Sequence, residues 1–150
     1  MCLVIDTCVF HLVFSDDSDF SPIYNWITQR NGKIIIGGSE YNRQLRNARK
    51  YLGVFLELER IGKLVRIDSD RVDDAEEYVK SVSDNPDFDD AHLIALVDES
   101  GCKLLCSNDR RADKFITNKR FYRKSSPPKI YRYRSHQKLL KSNNIVSVCR

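Results

Sequence analysis

Histidine is scarce in this chain: His11, His92 and His136 are the only three in 150 residues, and they offer no ligand cluster. A catalytic zinc centre, which generally wants imidazole or thiolate, is therefore disfavoured. A CxxC pair is also missing. The five cysteines, Cys2, Cys8, Cys102, Cys106 and Cys149, are odd in number and scattered, which argues against a disulfide framework or a zinc knuckle and fits a reducing cytoplasm. Cys102 follows a glycine and Cys106 sits in an apolar run, where cysteine behaves as a small hydrophobe. No apolar run approaches the roughly 18 residues of a membrane span, so no membrane insertion is expected. The opening "MCLVIDTCVFHLVF" lacks a basic flank and a small-residue cleavage site, and Asp6 interrupts it. It reads as a core strand, not a signal. Repeats and low-complexity blocks are absent.

Acid is nearly absent from the last quarter. Residues 110–150 carry 13 Lys and Arg against the single acid Asp113, whereas residues 1–109 carry 12 against 20, so the net charge of +4 hides a segregated chain. An acidic body with a basic C-terminal part points to a polyanionic partner, and a solvated tail has the same composition. The hydrophobic share of 41% and charged share of 31% are ordinary for a globular protein, and a chain of this length buries roughly 70% of its unfolded surface. One domain over residues 1–150 is expected, with a basic C-terminal extension from about residue 117.

What is present alternates between strand and helix patterns. "CLVID" and "KIIIGG" are short apolar runs of the kind buried on both faces of a parallel sheet. Between them "SPIYNWITQRNG" predicts a helix with Ser21 as cap, Pro22 at the first helical position and Gly32 as terminator. Residues 39–60 are helical in pattern, with Gly53 weakening the middle so that two helices fit. "KLVRID" predicts a strand, "SDRVDDAEEYVKSV" a capped helix, residues 87–99 a helix with Leu93, Ile94 and Val97 inward, and "KLLCS" a strand. "KSSPPKIYRYRS" reads as a linker followed by an extended basic-aromatic run, and "IVSVC" as a closing strand. The expected fold class is α/β, a three-layer α/β/α arrangement around a mainly parallel sheet.

On such a sheet four acids fall at strand-to-helix junctions of the carboxyl edge: Asp6, Glu40, Asp90 and Asp109. Each alone has a bland reading as an N-cap or a first-turn acid worth about 0.3–1 kcal/mol. Asp6 is the exception, because "TCVF" gives no helix that clearly needs a cap. Several buried carboxylates destabilise a fold unless a cation neutralises them, and oxygen ligands suit Mg²⁺ or Mn²⁺. His92, about 200° around a helix from Asp90, is expected to point away from it.

"VIDTCVF", the Glu of "GGSEYNRQL", "DDAHLIAL" and "LLCSND" together resemble PIN-domain ribonucleases over residues 2–116, and "KIYRYRSHQKLL" is similar to a tail of some prokaryotic members. The resemblance implies a metal-dependent endoribonuclease acting on single-stranded or structured RNA. Asp6, Glu40, Asp90 and Asp109 would be its catalytic metal ligands, Ser107 a supporting hydroxyl, Asp113 a candidate fifth carboxylate and Mg²⁺ or Mn²⁺ its cofactor. Asp87 and Asp89 compete with Asp90, which directly precedes "AHLIAL" and stands 19 residues before Asp109, a spacing similar to the family's. Cations interleaved with aromatics suit phosphate contact and base stacking, which makes Arg110, Arg111, Lys114, Lys129, Arg132 and Arg134 the expected RNA-binding residues. Many relatives are toxins of toxin–antitoxin pairs, so an antitoxin and a second copy of the chain are candidate partners. The alternative is a non-catalytic PIN-like module that binds RNA or protein. A haloacid-dehalogenase-type phosphatase fails because Cys8 stands where its second acid should be, and a response regulator because its acid pair, phospho-acceptor and late Lys are not evident.

Overall fold

Strands such as "CLVI" and "KIIIG" have no polar face to offer water, so they are stable only where helices cover both sides. The computed structural model describes residues 1–86, 88–141 and 146–150. It meets that demand with one parallel sheet of β1 (Cys2–Ile5), β2 (Lys33–Gly37), β3 (Leu64–Ile67), β4 (Leu104–Cys106) and β5 (Lys129–Tyr131), in the order β3-β2-β1-β4-β5. Helices α1 (Phe10–Val13), α2 (Ser21–Gln29), α3 (Ser39–Asn47), α4 (Leu52–Arg60), α5 (Ser69–Val82), α6 (Ala91–Ser100) and α7 (Asp113–Ile116) fill the connections. This is the three-layer α/β/α class expected. No helix among the described residues is long and apolar enough to cross a membrane.

The strand order fixes where a site can form. From β1 the chain steps outward to β2 and β3, then returns to the other side of β1 for β4 and β5. The loops leaving β1 and β4 therefore part in opposite directions and leave a crevice beyond their carboxyl ends. At the end of β2, Gly38 has φ +88°, and a Cβ there would stand 2.6 Å from Val72 Cγ1. Glycine thus lets the chain turn tightly into α3 while α5 packs against it.

Helix α6 is buried along all ten residues. It packs on β1, β2 and β3 and against α3 and α5. Its last turn brings two acids inside, Asp98 fully hydrogen-bonded and Glu99 held by two cations, with Glu99 Oε2 making no well-formed hydrogen bond. Asp98 accepts backbone N–H bonds from Arg123, Lys124 and Ser125 at 3.1, 2.9 and 2.8 Å. Glu99 pairs with Lys124 at 2.5 Å and Arg71 at 3.0 Å.

Several local expectations are corrected. Ser21 is the first residue of α2 and not its cap; the turn before it is closed by the Asp17 carboxylate, which accepts from the N–H groups of Asp19 and Phe20 at 2.9 and 3.0 Å. The break between α3 and α4 falls at Ala48, followed by a 3-10 turn Arg49–Tyr51, and Gly53 lies inside α4. Helix α6 begins at Ala91, not near residue 87. The basic-aromatic run supplies β5, an edge strand of the sheet, so the segment beyond residue 117 is built into the fold. Of "IVSVC", Ser147–Cys149 form a 3-10 turn, not a strand, and Ile145 lies outside the described residues. Cys149 is bonded to Cys2 across 147 residues, against the expectation of unpaired thiols, and the cysteine argument for a reducing compartment loses that support. Cys102 and Cys106 are buried and free, as small core residues are.

Candidate active site beyond β1 and β4

Asp6 immediately follows β1. Its backbone N–H still donates to Cys106 of β4 at 2.9 Å, so the residue is pinned to both central strands. One carboxylate oxygen accepts the Cys8 N–H at 3.2 Å and the other the Ser107 hydroxyl at 3.0 Å. The first of these bonds caps a 3-10 turn, Thr7–Val9. Asp6 is therefore a cap after all, and its apparent lack of a helix to serve does not single it out.

Ser107 ties the two strand ends together. Fully buried, it donates to Asp6 while its oxygen accepts the Asp109 N–H at 3.2 Å. Asp109 in turn accepts from the Arg111 N–H at 3.0 Å and from its guanidinium at 3.2 and 3.3 Å. The guanidinium holds the Asp109 carboxyl below the usual range.

Asp90 precedes α6, and its backbone carbonyl accepts from Leu93 and Ile94 at 3.0 and 3.4 Å, but its side chain caps nothing. Burial, and then the charges of Asp6, Asp89 and Asp109, push its pKa up to about 7. An acid at a helix start that forgoes the cap and crowds other acids is poorly explained by helix stability. Asp89 is exposed beside it, and Asp87 lies outside the described residues.

Glu40, in the first turn of α3, stands apart from these three. Arg43 holds it at 2.6 and 2.9 Å and Gln44 donates to it at 2.9 Å, which brings its pKa down to about 2. Gln44 also accepts the Thr7 hydroxyl at 2.7 Å, so Glu40 reaches the residue after Asp6 through one side chain. His92 is buried and neither ring nitrogen makes a well-formed hydrogen bond; burial lowers its pKa, against the charges of Glu76, Asp6 and Glu40. Its burial follows from that of α6, whose residues are covered all round.

The expected fifth carboxylate is engaged elsewhere. Asp113 accepts both guanidinium nitrogens of Arg132 at 2.8 and 2.7 Å, and Arg132 also donates to the Ser107 carbonyl at 3.1 Å. With its side chain 11% exposed, Arg132 is a brace under the crevice and not a free phosphate ligand. Arg110 contacts the Tyr133 hydroxyl, and Arg134 donates through its backbone to Asp19 and through its side chain to Ser18. Lys129 opens β5 at the amino edge of the sheet, the end opposite the acids. Lys114 is exposed, with the Phe115 ring beneath it at 5.0 Å.

The structure thus brings Asp6, Asp90, Asp109 and Ser107 together and sets Glu40 at the border. The donors are all oxygen, which suits a hard divalent cation, and the crowding around Asp90 is the kind a cation relieves. As the side chains stand, no group of three or more His, Cys, Asp or Glu among the described residues is arranged to hold an ion. A cation would compete with Arg111 for Asp109 and with Arg43 for Glu40. A cleft of about 550 Å³ is lined by Asp90, Asp109, Phe88 and Phe115; Phe115 belongs to the basic-aromatic runs expected to stack bases, whereas sequence reasoning gave Phe88 no role.

A family model described as PIN domain matches residues 3–116. No curated protein and no solved structure gives a significant match.

Proposed function

Because the chain belongs to the PIN-domain family, a nuclease-type fold, we propose that it is a divalent-metal-dependent endoribonuclease whose active site is the crevice at Asp6, Asp90 and Asp109, with Glu40 at its border. The observation that carries this reading is Asp90, whose side chain caps no helix and is crowded by Asp6, Asp89 and Asp109 at the sheet's switch point. Mg²⁺ or Mn²⁺ bound there would supply an acidified water for in-line attack on phosphorus and neutralise charge on the departing oxygen. The chain's own part is placement. Ser107 locks the ends of β1 and β4, so that Asp6 and Asp109 keep their separation. Arg132 stiffens that lock from below through the Ser107 carbonyl.

RNA cleavage should appear with Mg²⁺ or Mn²⁺, stop with EDTA, and vanish in Asp90→Asn while circular dichroism stays native. Undiminished cleavage in EDTA by contaminant-free protein sinks the metal-dependent reading. The ion pairs of Asp109 with Arg111 and Glu40 with Arg43 favour a second reading, a PIN-like module that binds RNA or protein without cutting. Calorimetry separates the two: a module with locked acids shows no Mn²⁺ binding, whereas a nuclease loses Mn²⁺ binding on Asp90→Asn. The narrower role of a toxin, neutralised by an antitoxin, rests on family resemblance. It requires that wild-type expression arrest growth and that Asp90→Asn relieve the arrest.

A further inference from the structure

Beyond the acids, the crevice continues as an aromatic groove. Phe88 lies nearly parallel to Phe115, with ring centroids 4.3 Å apart and planes at 24°, and to Phe121 at 5.7 Å and 23°. Phe88 and Phe115 are only partly buried, so ring surface is left at the groove, whereas Phe121 is buried beneath them. The first cleft runs from Asp90 and Asp109 to Phe115. A second, of about 420 Å³, shares Phe115 and Lys114 with it and extends past Arg120, with Asp84 also in its lining. Lys114 makes no ion pair among the described residues, and Arg111 stands at the acidic end.

We propose that this groove seats the nucleotide next to the cleaved phosphodiester, with its base laid on the Phe88–Phe115 stack and its phosphate on Lys114. The assignment deepens the nuclease reading, on which it rests, by naming the residues that hold the base and phosphate of a single-stranded substrate. A ring stack accepts any base by its flat face, but only a base freed from pairing partners in a duplex can reach it. Carboxylates for a metal at one end, aromatic rings in the middle and a free ammonium at the rim follow the order of parts along a nucleotide chain. Phe115 is the aromatic residue that lines both clefts, so it should matter most.

The test uses binding in EDTA, where cleavage is suppressed and no metal contributes. Phe115→Trp places an indole in the groove, and the native Trp26 is buried elsewhere, so wild type serves as the fluorescence control. Fluorescence of Phe115→Trp should be quenched by a single-stranded oligoribonucleotide. It should respond little to a duplex, or to a strand of equal charge made abasic at its central nucleotides. Phe115→Ala should lose about 5- to 100-fold in affinity for the single strand, with Phe115→Trp retaining it. Lys114→Gln should flatten the slope of log affinity against log salt by about 0.7. Equal quenching by the abasic strand, or unchanged affinity of a folded Phe115→Ala, overturns the proposal. If Phe115→Ala does not fold, the Phe115→Trp quenching decides alone. Failure of the nuclease reading looks different: intact, base-dependent quenching with no cleavage under any divalent metal.

Discussion

Asp90, the acid at the centre of the proposed site, is where fold stability and the proposed metal binding pull in opposite directions. Its folded pKa, raised to about 7, lies above the ordinary carboxylate value near 3.8. For an acid shifted upward, the folded state prefers the proton. The penalty is therefore absent below about pH 4, grows as pH rises toward 7, and is constant above. Metal-free wild type should lose stability across that window, and Asp90→Asn should abolish this part of the loss. The half-buried position and solvent screening reduce the difference to about 1–2 kcal/mol at pH 8, read as a higher melting temperature in EDTA. Adding Mn²⁺ should raise the melting temperature of wild type and leave Asp90→Asn unmoved. A lower apo melting temperature for Asp90→Asn would mean that the carboxylate is structural. At this scale the sequence was readable where acids end apolar strands, as at Asp6 and Asp109. It was not readable where partners come from distant chain, as with Asp113 and Arg132.

Just past β5, Arg132, expected to contact phosphate, is instead engaged within the fold. Arg132 joins α7 through Asp113 to the Ser107 carbonyl, and its side chain is 11% exposed. Truncating it leaves Asp113 without its cation and the Ser107 carbonyl without its donor. Arg132→Gln should therefore destabilise the fold by about 1–3 kcal/mol in urea titrations. Lys129→Gln, exposed at the start of the same strand, should stay within about 0.5 kcal/mol of wild type. Equal effects would mean that the brace carries no energy. The strands β1 to β4 and helix α5 could be read because β-branched runs and helical spacing are local signals. The segment of β5 reads as extended, but not as an edge strand of the sheet, because "KIY" is three residues long and only Tyr131 among them is fully buried. The α3–α4 break was misplaced because Gly53 meets open space within α4, where its flexibility costs little enough for packing to override.

Across the whole molecule the charge asymmetry is partly spent inside. Of the cations after residue 109, Lys124 pairs with Glu99, Arg132 with Asp113 and Arg111 with Asp109, while Arg123 lies 4.1 Å over the Tyr78 ring. Composition alone therefore does not separate cations paired within the fold from those left for a polyanion. The same long-range closure joins the chain ends: Cys149 reaches Cys2, which begins β1 at the sheet edge opposite the acids. Closing so large a loop in the unfolded chain should stabilise the fold by about 2–5 kcal/mol. In denaturant, unreduced protein should show three reactive thiols, Cys8, Cys102 and Cys106, and reduced protein five. Cys149→Ser or added reductant should lower the melting temperature. Cleavage at 25 °C should persist, because Asp6 is fixed at the far end of β1 by its own bonds to Cys106 and Ser107. Five reactive thiols without reductant would remove the bond. Loss of cleavage on reduction while the protein stays folded would show that the tie between the chain ends reaches the crevice, making β1 the element through which the two edges of the sheet communicate.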